Sequence, residues 1–192
     1  VTLFVERRRT FSLGGLNGYL RRIGKLLVYF RVLQEYRFFI EQEILDLPQQ
    51  IALAQENIAK AGFSHRIAFH AVDMLSPATL PGDADVWWMS QFLDCFSPDQ
   101  IVAMLTRVAQ AMKPGARLCI MELFWDAQKF EAASFSLNAT SLYFTCMANG
   151  NSRFYSVEKF YRYLESAGFS VEQRLDNLGV GHTLLVCQKI EQ

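Results

Sequence analysis

No apolar run in this chain approaches the ~20 residues needed to cross a bilayer as a helix. Its start lacks the uninterrupted apolar segment of a secretory leader. No membrane partner is expected, and a cytoplasmic location is. Cysteine is sparse: Cys95, Cys119, Cys146 and Cys187 lie far apart and form no Cys-x-x-Cys pair. That spacing argues against a disulfide framework or a zinc site and for buried thiols in a reducing compartment. Histidine is scarcer still, with His65, His70 and His182 isolated from one another. No metal-ligand cluster results, so metal-independent chemistry is expected. Net charge is also missing, with 19 basic residues against 19 acidic ones. The totals therefore give no sign of nucleic-acid binding. Finally, no Gly-x-Gly-x-x-Gly turn follows a strand-like run, which weighs against a dinucleotide oxidoreductase.

What is present is apolar and alternating. A chain of 192 residues that is 51% apolar can bury one sizeable core, so a single domain is the starting expectation. The arginines are uneven: Arg7, Arg8, Arg9, Arg21, Arg22, Arg31 and Arg37 crowd the first 45 positions, and the remainder is mildly acidic. Residues 1–15 have no clear period and read as loop. A basic amphipathic helix is suggested over 16–35 by Leu20, Ile23, Leu27, Phe30 and Leu33.

From residue 38 onward strands and helices alternate. Phe38 to Leu45 reads as a strand, and Pro48 opens a helix that stops at Gly62. Ile67–Val72 and Val86–Met89 read as further strands. Ser97-Pro98-Asp99 combines an N-cap, a proline at the first helical position and a first-turn carboxylate. Arg117–Leu123 is a strand, and 127–147 a long aromatic-rich helix or helix pair. Ser156 caps a helix that ends at Gly168. The last two strands, 169–174 and 183–188, are joined too closely for a parallel crossover and should be antiparallel. The alternation predicts an α/β fold, Rossmann-like and doubly wound, with a mostly parallel sheet and an antiparallel C-terminal strand pair. Three strands end in acidic residues, at Asp46, Asp73 and Glu122. Strand carboxyl ends are where open α/β sheets hold ligands.

Together these features resemble the class I S-adenosylmethionine-dependent methyltransferases. Residues 44–189 are similar to the catalytic domain of small-molecule O-methyltransferases of the plant caffeate and flavonoid and bacterial hydroxyneurosporene type. The resemblance is carried by Asp46-Leu47-Pro48, Asp73-Met74-Leu75, the stretch from Met89 to Ser97, Lys113-Pro114-Gly115, Asn149-Gly150-Asn151, Tyr155-Ser156 and Ala167-Gly168-Phe169. It implies S-adenosyl-L-methionine as cofactor and a hydroxyl of a small, aromatic molecule as acceptor. Asp46, with Leu47, would meet the ribose hydroxyls. Asp73 would meet the adenine amino group, with Met74 packing on the ring. Ser90 and Gln91 would hold the methionyl end. The alternative for Asp46 and Asp73 is a helix-capping carboxylate.

The family carries a strand ending in Asp-x-Gly-x-x-x-Gly ahead of the second strand. Here its counterpart is Ser12 to Gly18, with Gly14 and Gly15 as the candidate cofactor contacts and Ser12 in place of the acid. We therefore set residues 1–43 apart as an atypical basic segment, non-native or frame-shifted, joined to a catalytic domain over 44–192. Plant relatives place a histidine after the fourth strand as base, and alignment on Phe96-Ser97 puts Asp94 there. Asp94 and Glu122 are the candidate catalytic residues, with burial by Phe92 and Phe96 expected to raise the pKa of Asp94. Against that, Asp94 can simply orient the following helix. His182 is a weaker candidate for the acceptor pocket. The stripe Phe124, Trp125, Phe130, Phe135, Leu142, Tyr143, Phe144 and Met147 reads as core more than as pocket wall. The intact relative implies a homodimer. The competing reading is a methyltransferase-like fragment without catalysis, acting through protein interactions.

Overall fold

The computed structural model describes residues 3–7 and 41–190. The Gly14-Gly15 turn and the basic helix expected over 16–35 lie outside the described residues. Seven strands form one sheet: β1 (Leu3–Arg7), β2 (Glu41–Asp46), β3 (Ile67–Ala71), β4 (Val86–Ser90), β5 (Arg117–Glu122), β6 (Phe169–Leu178) and β7 (His182–Lys189), in the order β3-β2-β1-β4-β5-β7-β6. The helices among the described residues are α1 (Pro48–Lys60), α2 (Pro98–Ala111), α3 (Glu131–Met147) and α4 (Val157–Ser166).

Each boundary has a local cause. Pro48 supplies the preset φ of the first turn of α1, and Gly62, at φ +80, takes the left-handed turn beyond its end. A full capping box starts α2: Ser97 Oγ accepts from the Gln100 N–H, and Gln100 Oε1 accepts from the Ser97 N–H. The start of α4 is capped twice, by Ser156 Oγ on the Lys159 N–H and by Asp126 Oδ1 on the Val157 N–H at 2.8 Å.

Strands β2 and β3 are parallel, as are β4 and β5, while β7 runs antiparallel to both β5 and β6. The C-terminal pair is thus as expected. Five strands, β2 to β6, point one way. The exception not foreseen is β1, which lies between β2 and β4 and runs antiparallel to both. Residues 1–15 read locally as loop, yet β2 and β4 leave a slot whose backbone groups need partners on both sides, and the run Leu3-Phe4-Val5 fills it. In this register Leu3 lies opposite Leu45 and Met89, and Arg7 opposite Glu41. The chain therefore leaves β1 at the edge where β2 begins, away from Asp46.

The main core lies on the face covered by α2 and α4. Trp87, Met89, Leu118, Ile120 and Leu185 meet Ile101, Met104, Leu105 and Val108 of α2 and Phe160 and Leu164 of α4. Alternate residues point to the other face, where Ile44 and Ile67 pack with Ile51 and Ile58 of α1. Further along that face Val86, Cys119, Met121, Leu184 and Val186 form a second apolar cluster. Among the described residues, no helix is long and apolar enough to cross a membrane.

Candidate functional site

Because β2 to β5 run the same way, Asp46, Asp73, Ser90 and Glu122 come out at one edge of the sheet. The half-buried Asp46 ends β2, and its Oδ1 accepts from the Leu47 N–H at 2.8 Å. The residue at the N-cap position of α1 is Leu47, with no side-chain cap, so Asp46 does not serve as the helix cap. Asp73 is exposed just past β3. Its Oδ1 accepts from the Leu75 N–H at 2.9 Å, and its carbonyl accepts from the N–H and hydroxyl of Ser76. That is a tight turn presenting a carboxylate. Met74 is only 5% exposed and belongs to the main core, so its side chain lacks the open face that packing on a ring requires.

The turn after Asp73 is held by a residue that the sequence reading passed over. Arg107 of α2 donates from its two terminal nitrogens to the carbonyls of Met74, at 2.7 Å, and Ala78, at 2.6 Å. Nothing in the periodicity of α2 marks it, since it is one polar position on a helix whose apolar stripe decides the pattern. At the end of β4, Gln91 is exposed and adopts φ +47, and its N–H donates to the Met121 carbonyl at 2.9 Å. A non-glycine residue held left-handed is strained, and such strain concentrates at binding sites.

Glu122 is 2% exposed at the end of β5. Its Oε1 accepts from the N–H groups of Phe92 and Leu93, both at 2.9 Å, and Oε2 has no partner among the described residues. Asp94 follows on that same turn, half-buried, with Oδ1 3.5 Å from the Cys95 thiol. The Phe92 and Phe96 rings pack edge to face at 5.0 Å on either side of it in sequence. Burial raises the pKa of Asp94, against the lowering effect of the Cys95 thiol. Complete burial pushes Glu122 well above the usual carboxylate range, the charge of Asp94 adds to this, and the two backbone donors oppose it. Two buried carboxylates so placed cannot both ionise cheaply, and they titrate as a pair. Burial and the neighbouring carboxylate also push the Cys95 thiol up to about 11, so it is not a nucleophile at neutral pH.

His182 opens β7 beside the end of β5, at the same edge, and burial lowers its pKa. The aromatic stripe is a correction to the sequence reading. Phe124 is buried, but α3 has no buried residue, and Phe135 and Met147 are 74% and 72% exposed. The helix packs on the turn Trp125–Ala127 and, through Ser141, Phe144 and Thr145, on the loop that follows it, while its other residues stand on the surface, so a core origin for most of that stripe fails. A cleft of about 910 Å³ lies among Gln110, Pro114, Arg117, Gly168 and Lys189. It is at the opposite edge of the sheet, where β5 begins, and none of the candidate residues lines it.

Comparison with known proteins follows this geometry. The model of the O-methyltransferase domain family matches residues 31–170. The N,N-dimethyltransferase OxyT of Streptomyces rimosus is 30% identical over 148 residues, covering 76% of this chain and 41% of that protein. The mitomycin biosynthesis 6-O-methyltransferase of Streptomyces lavendulae is 28% identical over 132 residues, 69% of this chain and 36% of that one. The structure of PigF with SAH (S-adenosyl-L-homocysteine) superposes with a TM-score of 0.72 at 20% identity, covering 85% of this chain and 47% of that one. The chain thus spans about two fifths of the length of the curated relatives named here.

Proposed function

The chain belongs to the O-methyltransferase domain family, and from that premise we propose that it is the catalytic part of an S-adenosylmethionine-dependent methyltransferase acting on a hydroxyl of a small aromatic molecule. Residues 44–192 would form most of the methyltransferase body, and the atypical segment 1–43 joins the same sheet through Leu3–Arg7 and the start of β2, with the family match beginning at residue 31. The observation that carries this reading is the gathering of four carboxylates, from Asp46, Asp73, Asp94 and Glu122, along one sheet edge.

The donor set fits the adenosine end of the cofactor. Asp46 and Asp73 follow neighbouring strands, and each carboxylate is oriented by a backbone N–H. Asp46, beside Leu47, suits a ribose diol, and Asp73 an exocyclic amino group. Ser90 and the left-handed Gln91 are proposed for the methionyl end. Gly14 and Gly15 would complete that end from outside the described residues. The bound cofactor supplies an electrophilic methyl group on a sulfonium. The protein's own task is to align the acceptor and take up its proton.

Asp94 suits that second task. One ionisation leaves a single negative charge on the Asp94–Glu122 pair, and Asp94 is the member with an open face. A raised carboxylate pKa means a stronger base that is charged only at higher pH, so turnover rises as pH climbs through that raised value. The same base serves an amine acceptor, which the name of the Streptomyces rimosus relative makes worth including. All four cysteines carry thiols, in keeping with a reducing cytoplasm. Pairing of two copies, as implied for the intact relative, belongs to the same proposal.

The test is transfer of a labelled methyl group from S-adenosylmethionine to a panel of phenols, naphthols and aromatic amines, by wild type and Asp94→Asn. Label on a hydroxyl acceptor, reduced at least tenfold in the variant, supports the reading. Undiminished transfer by Asp94→Asn removes the base assignment. A second reading, a methyltransferase-like body without catalysis, has one observation in its favour. Because β1 is antiparallel to β2 and β4, the chain leaves it at the edge opposite Asp46, whereas a cofactor turn belongs at the carboxyl edge. Folded protein that transfers no label and retains no S-adenosylhomocysteine favours this second reading.

A further inference from the structure

The turn carrying Asp94 is held from two sides, and one of them is remote in sequence. Glu122 takes the N–H groups of Phe92 and Leu93. The loop between α3 and α4 takes the carbonyls that follow. The Arg153 N–H donates to the Asp94 carbonyl at 2.9 Å. Asn149 Nδ2 and Ser152 Oγ donate to the Cys95 carbonyl at 3.3 and 3.5 Å, and the Tyr155 hydroxyl donates to the Phe96 carbonyl at 2.6 Å. Three consecutive carbonyls therefore have partners from one distant loop.

That loop is itself braced. Asn149 Oδ1 accepts from the N–H groups of Asn151 and Ser152 at 2.9 and 2.8 Å, around Gly150 at φ +77. Ser141 Oγ of α3 accepts from the Phe154 N–H at 2.9 Å, and the Thr145 hydroxyl donates to the Ser152 carbonyl. The Tyr155 ring stands edge-on to Tyr163 of α4 at 5.6 Å. A packing role alone would be met by the ring. The hydroxyl and the Asn149 amide are aimed instead at the backbone of the turn.

We propose that Asn149, Ser152 and Tyr155 are positioning residues for Asp94, fixing the turn so that its carboxylate faces the acceptor and not bulk water. The proposal rests on Asp94 being the base, as argued above. It gives Asn149-Gly150-Asn151 and Tyr155 a physical task. The asparagine builds a rigid loop with its oxygen and grips the turn with its nitrogen, and the tyrosine grips the turn one residue further on.

Two conservative variants separate grip from packing. Asn149→Asp keeps the oxygen that accepts from Asn151 and Ser152 and loses the donor to Cys95. Tyr155→Phe keeps the ring and loses the hydroxyl. Among the described residues, the titratable groups around Asp94 are Glu122 at the end of β5, its neighbour Cys95 and Tyr155 from the loop; neither variant alters the first two, and Asn149→Asp adds a carboxyl of its own. The measurement is carbon NMR of the full chain labelled at aspartate carboxyls, with Asp94→Asn assigning the signal, together with amide exchange. In wild type the Asp94 signal titrates above the ordinary carboxylate range. In Tyr155→Phe, which adds no charge, its midpoint falls toward that range; Asn149→Asp adds a carboxylate that pushes the other way and is read by exchange. The Cys95 and Phe96 amides exchange at least tenfold faster, while amides of β5 and β7 keep their protection.

Unchanged exchange in Asn149→Asp, or an unchanged Asp94 midpoint in Tyr155→Phe, overturns the proposal. So does a loss of protection spread evenly through the sheet, which would mean a merely structural role. Should Tyr155→Phe fail to fold, Asn149→Asp decides alone. Failure of the base assignment is a separate result, because Asp94→Asn with full methyl transfer would leave the NMR outcome standing.

Discussion

Replacing Glu122 by glutamine tests the electrostatics of the site without any ligand. The carboxyl is 2% exposed, with one oxygen on two backbone N–H groups and the other without a partner among the described residues. Its pKa is raised well above the usual range, by burial first and by Asp94 second. A carboxyl that holds its proton more tightly when folded contributes stability that is full at pH below the unfolded pKa. That contribution is lost as pH rises through the folded pKa. For one proton the loss is at most about 1.4 kcal/mol per pH unit. At about 2–4 °C per kcal/mol for a chain of this size, wild type should lose roughly 3–6 °C of Tm per unit across that window on this account. Glu122→Gln keeps the accepting oxygen and removes the charge, so its Tm should gain on wild type as pH rises through the window between the unfolded and the raised folded value. Glu122→Ala leaves the Phe92 and Leu93 N–H groups buried without partners, at about 1–3 kcal/mol each. It should melt well below the glutamine variant at every pH. Scanning calorimetry of the three proteins at pH 5, 6, 7 and 8 reads both effects. Parallel pH slopes for wild type and Glu122→Gln would refute the raised pKa, and equal melting of the alanine and glutamine variants would refute the clamp.

Ser97→Ala removes the capping box of α2 and should cost about 1 kcal/mol of stability, read as a lower denaturation midpoint with unchanged m-value. Gln91→Gly relieves the φ of +47 and should raise stability by about 1 kcal/mol while weakening S-adenosylhomocysteine binding, if the strained residue serves the ligand. Arg107→Ala frees the carbonyls of Met74 and Ala78, so the amides of Leu75, Ser76 and residues 78–80 should exchange at least tenfold faster, with Arg107→Lys restoring part of the protection. For residues 1–43, translation of the coding DNA upstream of Asp46 in the two other frames should reveal a strand and Gly-rich turn. Neither frame containing one would count heavily against a frame shift.

Most of the body from β2 onward was legible because its signals are local. Pro48 and Gly62 bracket α1, Ser97-Pro98-Asp99 starts α2, and Ser156 starts α4. The antiparallel finish followed from the short link before His182. The acidic strand ends were legible for the same reason, since Asp46 and Glu122 close apolar runs. The direction of β1 was not, because it is set by the slot between two neighbours and not by Leu3-Phe4-Val5 itself. Nor was the exposure of α3, since an aromatic stripe has the same period whether or not anything packs on it. The grip of Arg107 and Tyr155 on distant carbonyls leaves no periodic trace, as each is a single side chain reaching across 29 to 59 residues.

Titration calorimetry of the whole chain with S-adenosylhomocysteine, beside Asp46→Ala, tests the central claim most directly, because product binding needs no acceptor. The account predicts micromolar affinity, about −8 kcal/mol, abolished in the variant. No heat from wild-type protein shown to be folded would contradict it, leaving the family's fold in a chain that does not hold the cofactor.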